Sequence, residues 1–331
     1  FILSGEVSLM YTQGRGRRIH LVLLAPSIEI VDRINTYLDT KGRRDYDGRP
    51  IFKISCEEFT KEMMKISEDI EVIPAHIWTP WFGVFGSKSG FDSLKEAFGE
   101  NEKFVHAIET GMSSDPEMNW HISELNTKSI ISFSDSHSYW PWRLGREATI
   151  FHDIKSYNDL IKQIRENSFL ATIETDPGYG IYHFDGHRLC NFSSSPEETK
   201  KLGGICPVCK KPLTIGVENR VEELTNQTID RARKKPYYKL LPLHEIIALA
   251  KASTLASNKT WQVYNQLIER FGNEFNILLN VSEEELMRAL PNDELLVQLI
   301  MDNRIGNIRV QPGFDGQYGI PLLKERQSKL V

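Results

Sequence analysis

Short apolar runs alternate with helical patterns over roughly the first 175 residues of the chain. Four of these runs have the length and composition of strands, at residues 19–24, 71–74, 107–110 and 129–134. Amphipathic stretches lie between them, with apolar side chains spaced for one buried helix face at Phe59, Met63 and Ile66 and again at Leu160, Ile161 and Ile164. This alternation predicts parallel strands joined by crossover helices, and hence a barrel or an open α/β sheet.

Serine and glutamate residues mark two of the predicted helix starts. Ser55 is followed three residues later by Glu58, and Ser282 by Glu285. In a capping box of this spacing, each side chain satisfies a backbone amide of the first helical turn. We therefore expect helices to begin just after Ser55 and Ser282.

The pattern changes after Pro177. Glycine, proline and cysteine punctuate residues 177–217, and a helical pattern then extends to about Arg304 before a glycine-containing tail. We therefore divide the chain into an α/β domain at 1–176, a small module at 177–217 and a helical region at 218–331.

Charge and composition narrow the functional classes. The 331 residues carry a formal net charge of −5, which excludes a uniformly basic coat for nucleic acid. Residues 188–259 nevertheless hold thirteen Lys or Arg against seven Asp or Glu, so this segment is locally positive. Neither an apolar run of about twenty residues nor a signal-peptide pattern is present, and we expect a cytoplasmic protein.

Polar side chains that could bind metal ions lie in or directly after the apolar runs. Asp135 and His137 follow residues 130–133, and His76 follows residues 72–75. Glu6 comes after the apolar start of the chain, and His20 lies within a strand pattern. Side chains at the carboxyl ends of barrel strands converge on one rim, where imidazoles and carboxylates suit a cluster of two or three Zn²⁺, Mn²⁺ or Mg²⁺ ions.

A second group has the spacing of a structural zinc site. His187-x-x-Cys190 is followed after fifteen residues by Cys206-x-x-Cys209. Two short chelating pairs separated by a loop are the usual arrangement around a tetrahedral Zn²⁺. Cys56 lies in a predicted first helical turn and is interpreted as a packing residue.

Two segments are candidates for DNA contact. The basic run containing Arg233, Lys234 and Lys235 is followed by Tyr237 and Tyr238, a combination that suits phosphates and unpaired bases. Large aromatic side chains also flank the candidate metal ligands, at Trp78, Trp81, Phe82, Tyr139, Trp140 and Trp142. We expect Trp81, Tyr139 and Trp140 to meet the duplex, with Arg143 and Arg146 on the flanking phosphates.

Three long strings make the chain resemble the endonuclease Q family of the PHP superfamily. They are Pro-Ala-His with Thr-Pro-Trp at 74–81, Asp-Ser-Leu-Lys-Glu-Ala-Phe-Gly at 92–99, and Ser-Asp-Ser-His-Ser with Arg-Leu-Gly-Arg-Glu at 134–147. The resemblance implies a distorted (β/α)7 PHP barrel, a zinc-finger module and a helical C-terminal region. It also implies a metal-dependent endonuclease that nicks DNA beside uracil, hypoxanthine, xanthine or an abasic site.

The resemblance also implies roles for individual residues. Glu6 would bridge two ions, His20 and His76 would complete the middle one, Asp135 would bind the first ion and His137 the third. Glu109 is a further strand-end carboxylate that is either a ligand or a partner of one. In the family the zinc knuckle is usually cysteine-rich, so His187 is a departure, and His183 is the alternative ligand.

The first metal-binding strings of the superfamily have no counterpart here. A His-x-His at the first strand and a His or Asp at the second are absent. We therefore expect the natural protein to start some 60 to 80 residues earlier, on the order of two βα units of such a barrel.

Two other functions stay open at this point. A PHP-type phosphatase of a small metabolite, such as histidinol phosphate, would use the same metal ligands but would need neither the zinc module nor the basic segment. A catalytically inactive DNA-binding adaptor would tolerate the missing first strings.

Overall fold

The computed structural model describes residues 1–46, 48–230 and 234–323. The strands are Leu3–Gln13 (β1), Arg15–Ala25 (β2), Ile51–Phe52 (β3), Glu71–Pro74 (β4), Ala107–Glu109 (β5), Ser129–Ile131 (β6), Ala148–Ile150 (β7), Ala171–Glu174 (β8), Asp185–His187 (β9), Phe192–Ser194 (β10), Tyr237–Lys239 (β11), Arg309–Gln311 (β12) and Ile320–Leu322 (β13).

Helices follow the strands closely in the first half of the chain and dominate after residue 240. They are Ile28–Asp39 (α1), Cys56–Ile66 (α2), Leu94–Phe98 (α3), Pro116–Asn119 (α4), Tyr157–Arg165 (α5), Pro196–Lys201 (α6), Val217–Leu224 (α7), Leu243–Lys251 (α8), Asn258–Phe271 (α9), Glu274–Leu279 (α10), Glu283–Ala289 (α11) and Glu294–Arg304 (α12). Short 3₁₀ turns occupy Gly99–Phe104, Ser123–Thr127, Pro177–Tyr179 and Arg188–Cys190.

A long antiparallel hairpin begins the fold. β1 and β2 pair along their whole length, from Leu3 opposite Ala25 to Gln13 opposite Arg15. Gly14 alone makes the turn at a φ of +68°, a conformation that glycine adopts without steric cost. β3 adds parallel to β1 and β4 adds antiparallel to β2, which gives the strand order β3-β1-β2-β4.

This sheet corrects two expectations. The strands at 19–24 and 71–74 were expected to be parallel, but they pair antiparallel. Glu6 was expected to follow a strand, yet it lies inside β1, opposite Val22. Val7 and Leu9 face the core and alternate with polar neighbours. This period of two marks a strand with two different faces, and it extends well beyond the apolar start of the chain.

The next strands continue around the same side of the molecule. The amide of Ile77, just after β4, donates to the carbonyl of Glu109 at the end of β5, at 3.0 Å. β5 pairs parallel with β6, as the alternating pattern predicts. Further along, β8 pairs antiparallel with β7 and parallel with β11. Over the described ranges these strands form separate hydrogen-bonded sheets, so the closed seven-stranded barrel stays a prediction.

Three apolar clusters stabilise the described part of the chain. The first lies between the hairpin sheet and helices α1 to α3, and it includes Val217 and Val221 of α7. The second joins helices α8 to α12 to Ile173 of β8. In the third, α5 packs Leu160, Ile161 and Ile164 against the sheet, the stripe that the sequence predicts. The fold is therefore mixed α/β with a helical C-terminal region.

The predicted helix starts lie where the serines indicate. The Ser55 hydroxyl accepts a hydrogen bond from the amide of Glu58, although the Glu58 carboxylate pairs with Lys41 instead of completing the capping box. At Ser282 and Glu285 both arms of the box are formed. No described helix is both long and apolar enough to cross a bilayer.

Candidate metal centre and DNA-binding surface

Glu6, His20 and His76 converge on one point. The Glu6 Oε1 atom lies 3.1 Å from His20 Nδ1 and 3.6 Å from His76 Nε2, and the two ring nitrogens are 3.1 Å apart. One ligand atom from each residue lies within 4.8 Å of the others. Two imidazole nitrogens and a carboxylate oxygen at this spacing are a donor set for a divalent transition metal.

The sheet register accounts for this convergence. Ser8 of β1 pairs with His20 of β2, and Glu6 lies two residues before Ser8, so Glu6 and His20 are diagonal neighbours on one face of the hairpin. His76 follows β4, the next strand of the same sheet, and the amide of Ala75 donates to the His20 carbonyl at 3.1 Å. Three residues far apart in sequence therefore meet because three adjacent strands carry them.

Thr79 fixes the orientation of the His76 ring. Its Nδ1 lies 3.0 Å from the Thr79 hydroxyl, and that hydroxyl donates its own proton to the His76 carbonyl, also at 3.0 Å. Nδ1 must then be the protonated nitrogen, which leaves the lone pair of Nε2 facing Glu6 and His20. A hydrogen bond of this kind fixes the tautomer of a metal-binding histidine.

Glu109 holds the backbone of His76. Its Oε2 accepts the His76 amide at 2.7 Å, and its side chain is fully enclosed. His76 has a φ of +30°, which places its Cβ where a side chain at Gly111 would lie only 2.4 Å away. The close approach of the two chains at this point therefore requires glycine at 111.

Electrostatics favour the metal-binding forms of His20 and Glu6, whereas burial of His76 is outweighed by the neighbouring carboxylates of Glu6 and Glu109, which raise its pKa. Burial lowers the pKa of His20 to about 4, so its ring is neutral at physiological pH. Burial acts against charge on Glu6 too, but the close approach of His20, His76 and Arg49 outweighs it and holds the Glu6 pKa well below its usual range. Burial raises the pKa of Glu109 to about 7.

The fit of this site to a metal ion rests on one carboxylate oxygen that lacks a well-directed hydrogen bond. Glu6 Oε1 is buried, and no described atom meets it in hydrogen-bond geometry although three donors approach it. The Arg49 guanidinium supplies charge at 2.6 Å, but a buried anionic oxygen without a well-directed hydrogen bond keeps a lone pair that can bind a metal ion. The donor set therefore fits a divalent ion.

Asp135 and His137 lie in the loop after β6. Both have positive φ angles, +36° and +51°, and His137 Nε2 lies 2.9 Å from Asp135 Oδ1. Arg146 fixes this loop by donating to the carbonyls of Ser134 and Asp135, at 2.8 and 2.9 Å. Neither residue belongs to the compact group formed by Glu6, His20 and His76.

Two cavities connect the parts of the site. Glu6, His76, Glu109 and Asp135 line a cavity of about 460 Å³, whose remaining walls are largely apolar. His76, Asp135, His137 and Arg146 line a second cavity of about 170 Å³ on the other side. His76 and Asp135 therefore line both cavities, whereas Glu6 and Glu109 line only the first and His137 only the second.

The second predicted group also assembles. His187, Cys190, Cys206 and Cys209 place one ligand atom each within 4.8 Å, and Cys209 Sγ lies 3.6 Å from His187 Nδ1. Three sulfurs and one nitrogen suit tetrahedral Zn²⁺. The group contains His187 and not His183, whose Nε2 lies 3.7 Å from Glu218 Oε2.

The fold and part of the sequence match known proteins. The crystal structure of the lesion-specific endonuclease PfuEndoQ from Pyrococcus furiosus has a TM-score of 0.84 and 25% identity, over 98% of this chain and 80% of that one. An endonuclease Q in complex with a 27-mer duplex substrate, with an abasic lesion at the active site, has a TM-score of 0.85 and 26% identity, over 97% and 79%.

The chain is similar to solved endonuclease Q structures over nearly its whole length.

Curated sequences give two further relatives. The protein MJ0043 of Methanocaldococcus jannaschii is 31% identical over 288 residues, which are 84% of this chain but 34% of that protein. The chain thus spans about a third of the length of this relative. YqxK of Bacillus subtilis is 24% identical over 328 residues, 96% of this chain and 77% of that one. A family model described as the MJ0043 C-terminal domain matches residues 242–307.

The aromatic side chains near the candidate metal ligands fall into two classes. Tyr139 and Trp140 have 76% and 38% of their surface exposed. Trp142 is buried and stacks on Trp140 at a centroid distance of 4.9 Å. Trp78 is fully buried and donates to Asn119, so it belongs to the core, and Phe82 stacks on His20 at 4.2 Å. Sequence alone did not separate these roles.

The remaining DNA-contact candidates are more constrained than expected. Trp81 packs edge-on against Tyr182, and the Arg143 guanidinium lies 5.1 Å from the centre of the Tyr318 ring. Lys234 donates to the Asn126 side chain, and Lys235 donates to the Phe169 carbonyl. Arg233 lies outside the described residues.

Sequence reasoning missed Arg49. Its Nε atom lies 2.6 Å from Glu6 Oε1, and its Nη2 lies 3.8 Å from Asp135 Oδ1. It precedes Pro50 in a polar stretch without regular periodicity, where nothing local distinguishes it from Arg43 or Arg44. Those two arginines form exposed pairs with Asp45 and Asp39.

Proposed function

We propose that this chain is the metal-binding and DNA-binding part of a DNA repair endonuclease that nicks the strand beside deaminated bases or abasic sites. The observation that carries the proposal is the Glu6, His20 and His76 group. It opens onto a cavity shared with Asp135, in a fold that matches an endonuclease Q with abasic DNA at its active site.

Glu6, His20 and His76 would hold one divalent ion, and Asp135, His137 and Glu109 are proposed to complete the centre. Bound ions of this class polarise a phosphodiester and lower the pKa of water towards neutrality. Thr79 and Glu109 keep His76 in the orientation that this binding needs, through the ring and the backbone amide respectively.

The surface around the centre supports a nucleic-acid substrate. Tyr139 and Trp140 form an exposed pair of rings, tilted by 31° to each other, in the loop after Asp135 and His137, and exposed aromatic faces stack on unpaired bases. An enzyme that acts at a damaged base must take that base out of the stack. We infer that this pair enters the duplex at the lesion, while Arg143, Arg146 and Trp81 flank it.

The knuckle of His187, Cys190, Cys206 and Cys209 is proposed to hold one structural Zn²⁺. Its ligands come from the β9–β10 hairpin and from the loop after α6, elements too short to be stable by themselves. The ion would therefore contribute directly to folding of this module.

The test uses full-length protein and labelled duplexes that carry a single uracil, hypoxanthine, xanthine or abasic site, with Mg²⁺ or Mn²⁺ supplied. We expect a nick beside the lesion and none in the undamaged duplex. Histidinol phosphate serves as a parallel substrate, and its hydrolysis without nicking would support a phosphatase instead. DNA binding without either reaction would support an inactive adaptor.

A further inference from the structure

Arg49 is the cation nearest the candidate metal centre in the described chain. Its Nε lies 2.6 Å from the same Glu6 Oε1 atom that faces His20 and His76, and its Nη2 lies 3.8 Å from Asp135 Oδ1. The guanidinium therefore bridges the carboxylates of the hairpin sheet and of the loop after β6. Its side chain is 26% exposed, so it forms part of the rim of the site.

The contact with Glu6 is close but poorly directed. Arg49 Nε is buried and, like Glu6 Oε1, has no described partner in hydrogen-bond geometry. Structural arginines of this chain differ in this respect: Arg220 donates to the carbonyls of Phe85 and Phe91, at 3.0 and 3.1 Å. The position of Arg49 is thus set by charge more than by a fixed network.

We propose that Arg49 is a phosphate-binding residue of the centre, and that in the absence of metal it neutralises Glu6. The proposal rests on the endonuclease function given above. A guanidinium presents a planar fork of donors that matches two oxygens of a phosphodiester. From the rim between Glu6 and Asp135, the guanidinium would face a phosphodiester that approaches ions held by these carboxylates.

The two roles predict that removal of Arg49 strengthens metal binding and slows nicking. While Arg49 pairs with Glu6 Oε1, it competes with any ion for that oxygen, so its removal should strengthen metal binding by about tenfold, the equivalent of one modest charge interaction. Removal of a donor to the reacting phosphate should slow nicking by about 100-fold at saturating metal. If Arg49 only supported the fold, its removal would weaken metal binding and slow nicking.

The experiment compares Arg49→Ala, Arg49→Lys and Arg44→Ala in the full-length protein. Mn²⁺ affinity is measured by isothermal titration and nicking of an abasic-site duplex under single-turnover conditions, with thermal unfolding as a check on folding. Arg44 is the matched control because it lies on the same segment but pairs with Asp39 at the surface. We expect Arg44→Ala to leave metal affinity and nicking unchanged.

For Arg49→Ala we expect tighter Mn²⁺ binding together with slower nicking. For Arg49→Lys we expect near-normal Mn²⁺ binding, with nicking still reduced at least tenfold because lysine lacks the planar fork of donors. Unchanged or weaker Mn²⁺ binding in a folded Arg49→Ala protein overturns the pairing with Glu6. Unchanged nicking overturns the phosphate role. If the unsubstituted protein does not nick at all, the endonuclease proposal fails, while the Mn²⁺ titration still tests the pairing.

Discussion

Three candidate ligands have backbone conformations that non-glycine residues seldom adopt. His76, Asp135 and His137 have φ angles of +30°, +36° and +51°. Each costs on the order of 1 kcal/mol or more, and such residues cluster at functional sites, where the surroundings hold them in place. Here Glu109 holds the His76 amide, and Arg146 holds the Asp135 carbonyl. The strain therefore supports a functional role for these loops.

Gly111→Ala should weaken metal binding at the centre. The new Cβ would lie 2.4 Å from His76 Cβ, so the backbone at His76 or at Gly111 must shift, which disturbs the placement of His76 beside Glu6 and His20. Gly14→Ala is the matched control, since Gly14 also has a positive φ but a Cβ added there would meet no atom within 4 Å. We expect Mn²⁺ affinity, measured by isothermal titration, to fall at least tenfold in Gly111→Ala and to stay unchanged in Gly14→Ala.

Asp135→Ala should abolish nicking while DNA affinity stays nearly intact, because a metal-binding carboxylate serves the reaction more than the grip on DNA. Single-turnover cleavage of an abasic-site duplex and fluorescence anisotropy provide the two measurements. Asp153→Ala is the control, because Asp153 is an exposed carboxylate whose described ion pair, with Lys155, is long at 3.9 Å. Cleavage by Asp135→Ala within a few-fold of the unsubstituted protein would remove Asp135 from the site.

At the scale of secondary-structure elements, the strands and the helix of the candidate zinc module are short. β9 and β10 are three residues each, and α6 is six residues long. Gly203 and Gly204, at φ angles of +62° and +72°, turn the chain back so that Cys206 and Cys209 face His187 and Cys190. Elements this short bury little apolar surface, so we expect the module to need a metal ion to hold its shape.

Cys206→Ser and Cys209→Ser should each release about one Zn²⁺ per chain and unfold the module locally. Zinc content by elemental analysis and protection of the module from proteolysis are the measurements. Cys56→Ala serves as the control, since Cys56 is buried in α2 away from the knuckle and should lower stability without loss of zinc. An unchanged zinc content in both serine variants would refute the structural site.

At the scale of the whole molecule, the loop of Asp135 and His137 packs against the helical region. Trp142 lies 4.9 Å from His244 of α8 and 6.1 Å from Trp261 of α9, measured between ring centres. His244 is fully buried, and neither ring nitrogen has a described hydrogen-bond partner. A neutral imidazole thus joins the helices to the loop that carries candidate metal ligands.

This packing predicts a pH dependence of stability. Burial lowers the pKa of His244 to about 4, so the unfolded chain takes up a proton below pH 6.5 that the folded chain resists. Stability should fall as the pH drops from 6.5 towards 4. We expect His244→Phe to lose less stability than the unsubstituted protein between pH 7 and pH 5, by on the order of 1 kcal/mol after allowance for solvent screening.

Urea unfolding at both pH values measures the difference. His20 also titrates in this range, but it is present in both proteins and cancels in the comparison. His152→Gln, a substitution of an exposed histidine, is the control variant. Equal losses in His244→Phe and the unsubstituted protein would contradict the prediction.

Local patterns in the sequence determined much of this fold. The strand at Glu71–Pro74, the stripe of α5 and the caps at Ser55 and Ser282 follow from periodicity and capping chemistry, which act over a few residues. Chelating pairs close in sequence likewise predicted a group at Cys206 and Cys209 that the structure assembles. The similarity to endonuclease Q was also recognisable from its sequence strings.

The tertiary structure decided what depends on distant partners. Glu6 and His20 meet through the register of an antiparallel hairpin, which a short apolar run could not reveal. Trp78 and Tyr139 differ in burial although both lie in aromatic strings, because the packing around a loop cannot be deduced from the amino-acid composition of that loop. Arg49 carries no local signal, and only the folded chain brings its charge to Glu6, since electrostatic partners are chosen by distance in space and not along the sequence.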